Sequence, residues 1–266
     1  MINQVRLDLL NILASAPILR NANGAGRVFE LFIMTGIART LQLRGYNVWL
    51  QRSDGTRILP THPNPQFIQR GGRPSGIASS GQGPANATVI CFETATGNIW
   101  EIWNGVQFEG RSGSTHEIDL AIVPHQVGLA LRGTVTGGVP VGRPKVSIEC
   151  KDVKNDGTPD EMRAFIARLY DLTLLAGHQF FLRRGLPQQS IYPNNPPSPN
   201  ANPQNTYWDE NRNTLNILAR RSDFSRGAAA MTVYHSVVPY GNISSLPANS
   251  TVLKNDIVDW IDNNLP

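Results

Sequence analysis

Apolar residues recur along this chain with two different spacings, and the spacings distinguish predicted helices from predicted strands. Over residues 2–15 and 26–44 the apolar positions return every three or four residues, which predicts two amphipathic helices. Gly45 is a residue type that ends helices, and the run YNVWLQ after it predicts a strand at residues 46–51. We therefore expect the chain to open with two helices and then to enter a sheet.

The middle of the chain alternates apolar and polar residues, as half-buried strands do. The runs ATVICFET (87–94) and NIWEIWNGVQF (98–108) flank a Thr-Gly-Asn turn and predict a hairpin. The runs HEIDLAIV (116–123) and KVSIEC (145–150) predict two more strands, joined by a glycine-rich connection. These four runs predict the centre of a β-sheet.

Helices and strands also alternate beyond residue 150. The predicted elements are a helix from Thr158 to Gly177 with an N-cap threonine and Pro159 at its first position, a strand at 178–182 (HQFFL), a helix at 211–221 (NRNTLNILARR), a strand at 230–240 (AMTVYHSVVPY) and a last helix at 253–265. This mixture predicts the α/β class, with a central mixed β-sheet flanked by helices.

Two segments break the pattern. Residues 60–87 are rich in Pro, Gly and Ser, and form either a binding lid or a disordered loop. Residues 185–206 hold most of the clustered proline and asparagine and predict a surface excursion. Residues 207–266 are too few for an independent core, so we expect residues 1–266 to form a single domain.

Charged residues interrupt two of the predicted strands. In KVSIECK three apolar residues alternate with Glu149 and Lys151, whose side chains share one face about 6 to 7 Å apart. An exposed strand face would make this pair an ordinary surface ion pair worth under about 1 kcal/mol. Helix and strand candidates on both sides instead predict a covered sheet, where charge is costly unless it is paired or used.

The strand HEIDLAIV carries acids in the same way. We expect Ile118, Leu120 and Ile122 on one face and Glu117 and Asp119 on the other. If this strand pairs with KVSIEC, Asp119 approaches the carboxylate of the second strand, and two acids that close need a cation or a shared proton. Mg²⁺ prefers such oxygen ligands, and a nearby lysine can orient or activate a water for attack on phosphorus.

Asp119 on one strand, a spacer of about thirty residues and an apolar strand that ends in Glu149-Cys150-Lys151 together resemble the PD-(D/E)xK nuclease superfamily. Glu30, in the helix RVFELF that leads into a strand, matches a glutamate often found before the core sheet of that superfamily. The resemblance covers about residues 24–183 and implies a restriction-endonuclease-like fold for a nuclease domain.

The resemblance also implies roles for individual residues. Asp119, Glu149 and the main-chain carbonyl of Cys150 would hold the metal, Lys151 would activate the attacking water, and Glu30 would be an auxiliary acid. The alternative for Glu30 is an ordinary exposed helix position, since helices carry glutamates for propensity alone. Two departures stand out. The residue before Asp119 is an isoleucine where the motif has proline, and the later helix lacks the Gln-xxx-Tyr signature of the exonuclease-like branch.

Composition adds less. The net charge is only +4, and of 24 basic residues all but four are arginines, which favours either phosphate contacts or a GC-rich coding bias. Lys154, Arg163 and Arg168, which follow the motif, are candidates for contacts with nucleic acid or for a solvated helix face. The two cysteines predict buried free thiols and a reducing cytoplasm, and no run of about 18 apolar residues predicts a membrane span.

We therefore expect a cytoplasmic Mg²⁺-dependent endonuclease that hydrolyses DNA, with Mn²⁺ as a substitute metal and a role in restriction or phage defence. It is expected to act as a homodimer or with a partner protein that gates its activity. Two alternatives remain. One is a catalytically inactive nucleic-acid-binding or assembly module on the same fold, and the other is an RNA-directed or repair nuclease.

Overall fold

The structure is a computed structural model, which describes residues 1–22, 24–69, 72–74, 87–132, 137–173, 213–244 and 247–266. Its helices are α1 Ile2–Leu13, α2 Ala25–Leu43, α3 His125–Arg132, α4 Pro159–Leu172, α5 Arg226–His235 and α6 Pro247–Asn264. Its strands are β1 Ile18–Arg20, β2 Asn47–Arg52, β3 Gln66–Ile68, β4 Thr88–Glu93, β5 Ile99–Glu109, β6 Thr115–Pro124, β7 Val146–Lys151, β8 Leu215–Arg220 and β9 Val238–Tyr240.

Seven of the described strands form one mixed sheet in the order β2-β4-β5-β6-β7-β8-β9. The first four pairings are antiparallel, and β7-β8 and β8-β9 are parallel. The short strands β1 and β3 pair in parallel apart from this sheet. The predicted α/β class with a mixed sheet flanked by helices is confirmed, and β7, with the acid-lysine pair, lies inside the sheet.

Both faces of the sheet are covered, each by its own hydrophobic cluster. One cluster joins the sheet to α1, α2 and α6, and the other joins it to α3, α4 and α5. The three apolar residues of β7, Val146, Ile148 and Cys150, all belong to the first cluster, as the sequence predicts. Because helices cover both faces, a charged side chain on a central strand is largely removed from water.

Most of the predicted helices and strands are confirmed. The two opening helices, the strand at β2, the β4–β5 hairpin, β6, β7 and the last helix all lie where the pattern places them. Helix α4 begins with the predicted cap, in which Thr158 and Glu161 each accept a hydrogen bond from the other's backbone N–H. Both cysteines are buried free thiols, as expected.

Two predictions in the C-terminal part are wrong. The run NRNTLNILARR was predicted to be a helix, but its buried residues form β8, because parallel pairing with β7 outweighs the helix propensity of its leucines and alanine. The run AMTVYHSVVPY was predicted to be a strand, but most of it is α5 and only residues 238–240 form β9. A Ser225 cap and three consecutive alanines favour the helix there.

Some predictions fall on residues that the structure does not describe. These are the strand at 178–182, the excursion at 185–206, the helix end at residue 177 and most of the proline-rich stretch from residue 70 to 86. In the described part of the segment 60–87, residues 66–68 form β3. Among the described helices, none is both long and apolar enough to cross a membrane.

Candidate active site

The strands β6 and β7 part where the acidic residues lie. Their ladder pairs Ile122 with Val146, Ala121 with Ser147, and Leu120 with Ile148, and goes no further. The next position in this register would bring Asp119 opposite Glu149. The two strands therefore pair, which meets the condition on which the approach of the acids depends, and the pairing brings both acids to the point of separation.

The side-chain alternation of β6 also changes at this point. Leu120 and Ile122 pack in the cluster of α2, whereas Ile118 packs in the cluster of α4. The expectation that Ile118 would share a face with Leu120 and Ile122 is therefore wrong. Opposite Asp119, strand β5 contains Gly105 with φ +58°, a left-handed conformation that glycine adopts without steric cost. The irregular backbone in both strands reverses the alternation there.

Backbone groups of Cys150 face the gap between the two strands. The carbonyls of Lys145 and Lys151 accept hydrogen bonds from Leu215 and Arg221 on the β8 side. Since backbone polar groups alternate in direction along a strand, the N–H and C=O of Cys150 point toward β6. Its N–H donates to Asp119 Oδ2 at 2.7 Å, which holds the carboxylate in the gap.

Glu149 is almost fully buried and is bound by two cations. Lys151 Nζ lies 2.5 Å and Arg168 Nη2 lies 2.6 Å from the same oxygen, Oε1. The second oxygen, Oε2, is buried and has no hydrogen-bond partner. Leaving a buried carboxylate oxygen without a partner costs free energy, so Oε2 is available to a cation or a water donor.

Asp119 carries less compensation than Glu149. Burial and the negative charge of Glu149 raise the pKa of Asp119 to about 7, against the opposing hydrogen bond from the N–H of Cys150. The charge of Glu30 raises it further, and Lys151 lowers it. Asp119 therefore takes up a proton near neutral pH unless a further positive charge arrives.

Glu30 is connected to this gap through an asparagine. Asn104 Nδ2, on β5, donates to Glu30 Oε2 at 2.6 Å and to the main-chain carbonyl of Asp119 at 3.1 Å. Gln69 Nε2 donates to Asn104 Oδ1 at 2.8 Å. Burial raises the pKa of Glu30, while the bond from Asn104 opposes the shift. Glu30 is therefore part of the polar cluster at the gap and not an isolated surface acid.

The remaining charges are coupled to the same cluster. Burial and the charge of Glu149 raise the pKa of Glu117. Burial alone would lower the pKa of Lys151, but the Glu149 carboxylate outweighs it, and the net pKa of Lys151 is raised. Lys151 is therefore an ammonium ion at neutral pH, able to donate hydrogen bonds and unable to accept a proton.

The three predicted nucleic-acid contacts lie in different surroundings. Lys154 is exposed in the turn after β7. Arg163 is exposed on α4, where it pairs with Asp160. Arg168 instead points to the gap, where it binds Glu149 and donates to the carbonyl of Glu117 at 3.1 Å.

Two members of the cluster were not predicted from the sequence. Asn104 has a signal that the pattern could have used, because Asn-Gly in the middle of an alternating strand often marks a bulge. Gln69 directly follows β3 within the proline-rich segment 60–87. Its position in the sequence gives no sign that it contacts the gap. Its Oε1 is buried and has no hydrogen-bond partner, like Glu149 Oε2.

The donors at the gap fit a hard divalent cation. Carboxylate oxygens of Asp119 and Glu149 and the Cys150 carbonyl are all oxygen ligands, as Mg²⁺ requires, and Glu149 Oε2 lacks any other partner. Side chains alone do not form the site. Within the described ranges, no group of three or more His, Cys, Asp and Glu side chains is placed to hold a metal ion. Waters or substrate oxygens would have to complete the coordination.

A second polar cluster holds α4 against β6 beside the gap. Asp171, at the end of α4, contacts His116 Nε2 and accepts from Ser112 Oγ, both at 2.6 Å. The Arg111 guanidinium lies 3.9 Å from the centre of the Tyr170 ring. These contacts give His116 a structural role and fix the helix that carries Arg168.

Comparisons of the chain with protein-family models, with curated proteins and with solved structures find no match. The geometry at the gap is therefore the basis for any functional conclusion.

Proposed function

We propose that this chain is a Mg²⁺-dependent endonuclease that hydrolyses DNA phosphodiester bonds. The observation that carries the proposal is the meeting of the half-buried Asp119 and the buried Glu149 beside an ammonium, where two paired strands separate. Such a concentration of like charge with a raised pKa is unusual in a purely structural role and is characteristic of sites that bind cations or do acid-base chemistry.

Other features of the fold are compatible with the expected restriction-endonuclease-like arrangement. Helix α2, which carries Glu30, precedes the hairpin strands, and α4 follows the strand with the Glu-x-Lys run. The next described strand, β8, lies parallel to that strand. The proposal extends to a restriction or phage-defence setting in the cytoplasm, and to a homodimer or a gating partner.

Bound Mg²⁺ would stabilise the negative charge that develops on the phosphoryl oxygens in the transition state. Asp119, Glu149 and the Cys150 carbonyl would hold it, and Asn104 would keep Glu30 beside Asp119. Because Lys151 stays protonated, it would orient a water or stabilise negative charge by donating hydrogen bonds, and would not remove the proton itself. A further acid of the cluster, Glu30, has the raised pKa that suits a proton acceptor.

Cleavage of supercoiled plasmid with Mg²⁺ and with EDTA tests the proposal. Lys151→Ala is expected to reduce the cleavage rate about 100-fold or more, since it removes the donor at the gap. Lys145→Ala, directly before the other end of β7, is the matched control and should cleave normally. Cleavage that continues in EDTA, or that survives Lys151→Ala, would contradict the proposal. Competition between duplex DNA, single strands and RNA identifies the substrate.

One observation favours the rival class, a nucleic-acid-binding or assembly module without catalysis. Glu149 is already neutralised by Lys151 and Arg168, as a structural carboxylate would be. That class predicts duplex binding without Mg²⁺-dependent cleavage at any protein concentration, so the same plasmid assay separates the two functions.

A further inference from the structure

We propose that Arg168 is a built-in electrostatic competitor for the metal: its guanidinium pairs with Glu149 Oε1 in the metal-free protein, and a divalent cation that binds the unpartnered Oε2 repels and displaces it. The inference rests on the proposed function, because it concerns the same site. It assigns Arg168 a positioning and gating role in addition to the phosphate contact expected from the sequence.

The guanidinium of Arg168 lies between the two strands at the gap. Arg168 Nη2 lies 2.6 Å from Glu149 Oε1, and Nη1 donates to the carbonyl of Glu117 at 3.1 Å. The guanidinium therefore bridges β7 and β6 across the gap where the ladder between these strands has ended. It contacts Oε1 of Glu149, so a cation bound at Oε2 of the same carboxylate would lie close to the guanidinium.

Positive charge is distributed unevenly between Glu149 and Asp119. Glu149 Oε1 contacts both Lys151 and Arg168, and one of these cations would balance its single charge. Asp119 instead accepts a hydrogen bond from a neutral group, the N–H of Cys150. A divalent ion between the acids would compensate Asp119 and leave Arg168 as surplus positive charge, which the ion repels.

Release of the guanidinium from Glu149 requires only the Arg168 side chain to move. The α4 backbone is fixed by the Thr158 cap at one end and by Asp171 at the other, and Phe165 and Leu169 are buried beneath it. The Arg168 side chain is 24% exposed, so the guanidinium has a path to solvent. Once released, it lies at the rim of the gap, where a backbone phosphate can bind it. Metal loading and phosphate contact would thereby be coupled.

Mn²⁺ binding in the absence of DNA tests the competition, with free Mn²⁺ read by electron paramagnetic resonance. Arg168→Gln is expected to bind Mn²⁺ about fivefold to tenfold more tightly than the unaltered protein, because a competing unit charge is removed. Arg163→Gln is the matched control: it removes the same charge from the same helix, but from a pair with Asp160, and should leave the affinity unchanged.

The outcomes separate this inference from the proposed function. If the unaltered protein binds Mn²⁺ and Arg168→Gln binds it equally or more weakly, the competition is wrong and the metal site stands. If neither protein binds Mn²⁺, the metal-dependent function itself is overturned together with the inference.

A measurement on the unaltered protein covers the case in which Arg168→Gln fails to fold. The ¹⁵N–¹H resonance of Arg168 Nε should shift during a Mg²⁺ titration with the midpoint of metal binding, while that of Arg163 stays in place. An Arg168 resonance that does not respond to saturating Mg²⁺ overturns the displacement.

Discussion

Asp119 is the residue at which the cost of assembling this site is concentrated. Its carboxylate lies beside Glu149 in a largely buried gap, and its partner there is the N–H of Cys150. In the metal-free protein its pKa is about 7, compared with an ordinary value of 3.8. Because the native state keeps its proton where the unfolded state has lost it, the free energy of unfolding falls as pH rises from about 4 to about 7.

Asp119→Asn should remove this dependence. We expect the variant to be more stable than the unaltered protein at pH 8 by about 1 to 2 kcal/mol without metal, and not at pH 4, where Asp119 is protonated in the native state. Urea denaturation at both pH values, in EDTA, measures the difference.

Asp171→Asn is the control for this comparison. Burial alone would raise the pKa of Asp171, but hydrogen bonds from Ser112 and His116 outweigh it, and the net pKa is lowered. The ionised carboxylate therefore stabilises the native state at pH values above the ordinary pKa of an aspartate. This stability is lost as pH falls. The control should therefore be destabilised at pH 8. An Asp119→Asn variant that is less stable than the unaltered protein at pH 8 would show that Asp119 is adequately compensated without metal.

At the scale of elements, the site depends on an irregularity shared by β5 and β6. Gly105 adopts φ +58° beside Asn104, and the alternation of β6 reverses opposite it. Asn104 can therefore reach both Glu30 and the Asp119 carbonyl. A regular pair of strands would not place Asn104 within reach of both groups.

Gly105→Ala tests this dependence. A side chain at a left-handed φ costs about 1 kcal/mol, so the variant should lose about that much stability and bind Mn²⁺ more weakly as the irregular backbone relaxes. Gly97→Ala is the matched control. Gly97 also has a positive φ, +83°, but lies in the β4–β5 turn. It should lose similar stability and keep its metal affinity. Equal effects of both variants on metal binding would show that the backbone at Gly105 has no specific role in forming the site.

The limits of sequence reasoning also appear at this scale. Periodicity predicted β4 to β7 and α2, because alternating burial directly determines their apolar positions. It failed at β8, whose residues are buried on both faces of the sheet, so that its apolar residues do not alternate with exposed polar ones. The acids of the gap were predicted by their place on the strands. Gln69 and Asn104 were not predicted, and Arg168 was predicted only as a nucleic-acid contact, because their contacts at the gap depend on tertiary packing.

At the scale of the whole molecule, the C-terminal helix supports the layer that carries Glu30. Leu253, Ile257 and Ile261 of α6 are fully buried in the same hydrophobic cluster as α2. This part of the chain therefore packs on the layer that holds one side of the site.

Ile257→Ala should lower the free energy of unfolding by about 2 to 4 kcal/mol, because it removes buried methyl and methylene groups and leaves a cavity. Val252→Ala, on the same helix, is the control, since Val252 is 50% exposed and its truncation should cost under about 0.5 kcal/mol. Equilibrium denaturation of both variants checks the difference. Equal stabilities would mean that α6 contributes little to the core.

Cys150 takes part in the gap only through its main chain, since its N–H binds Asp119 while its thiol is packed among apolar residues on the other side of the sheet. Under the proposed function, chemistry constrains the main chain of this residue and packing constrains its side chain. In related chains this position should then vary among small apolar side chains such as valine or alanine.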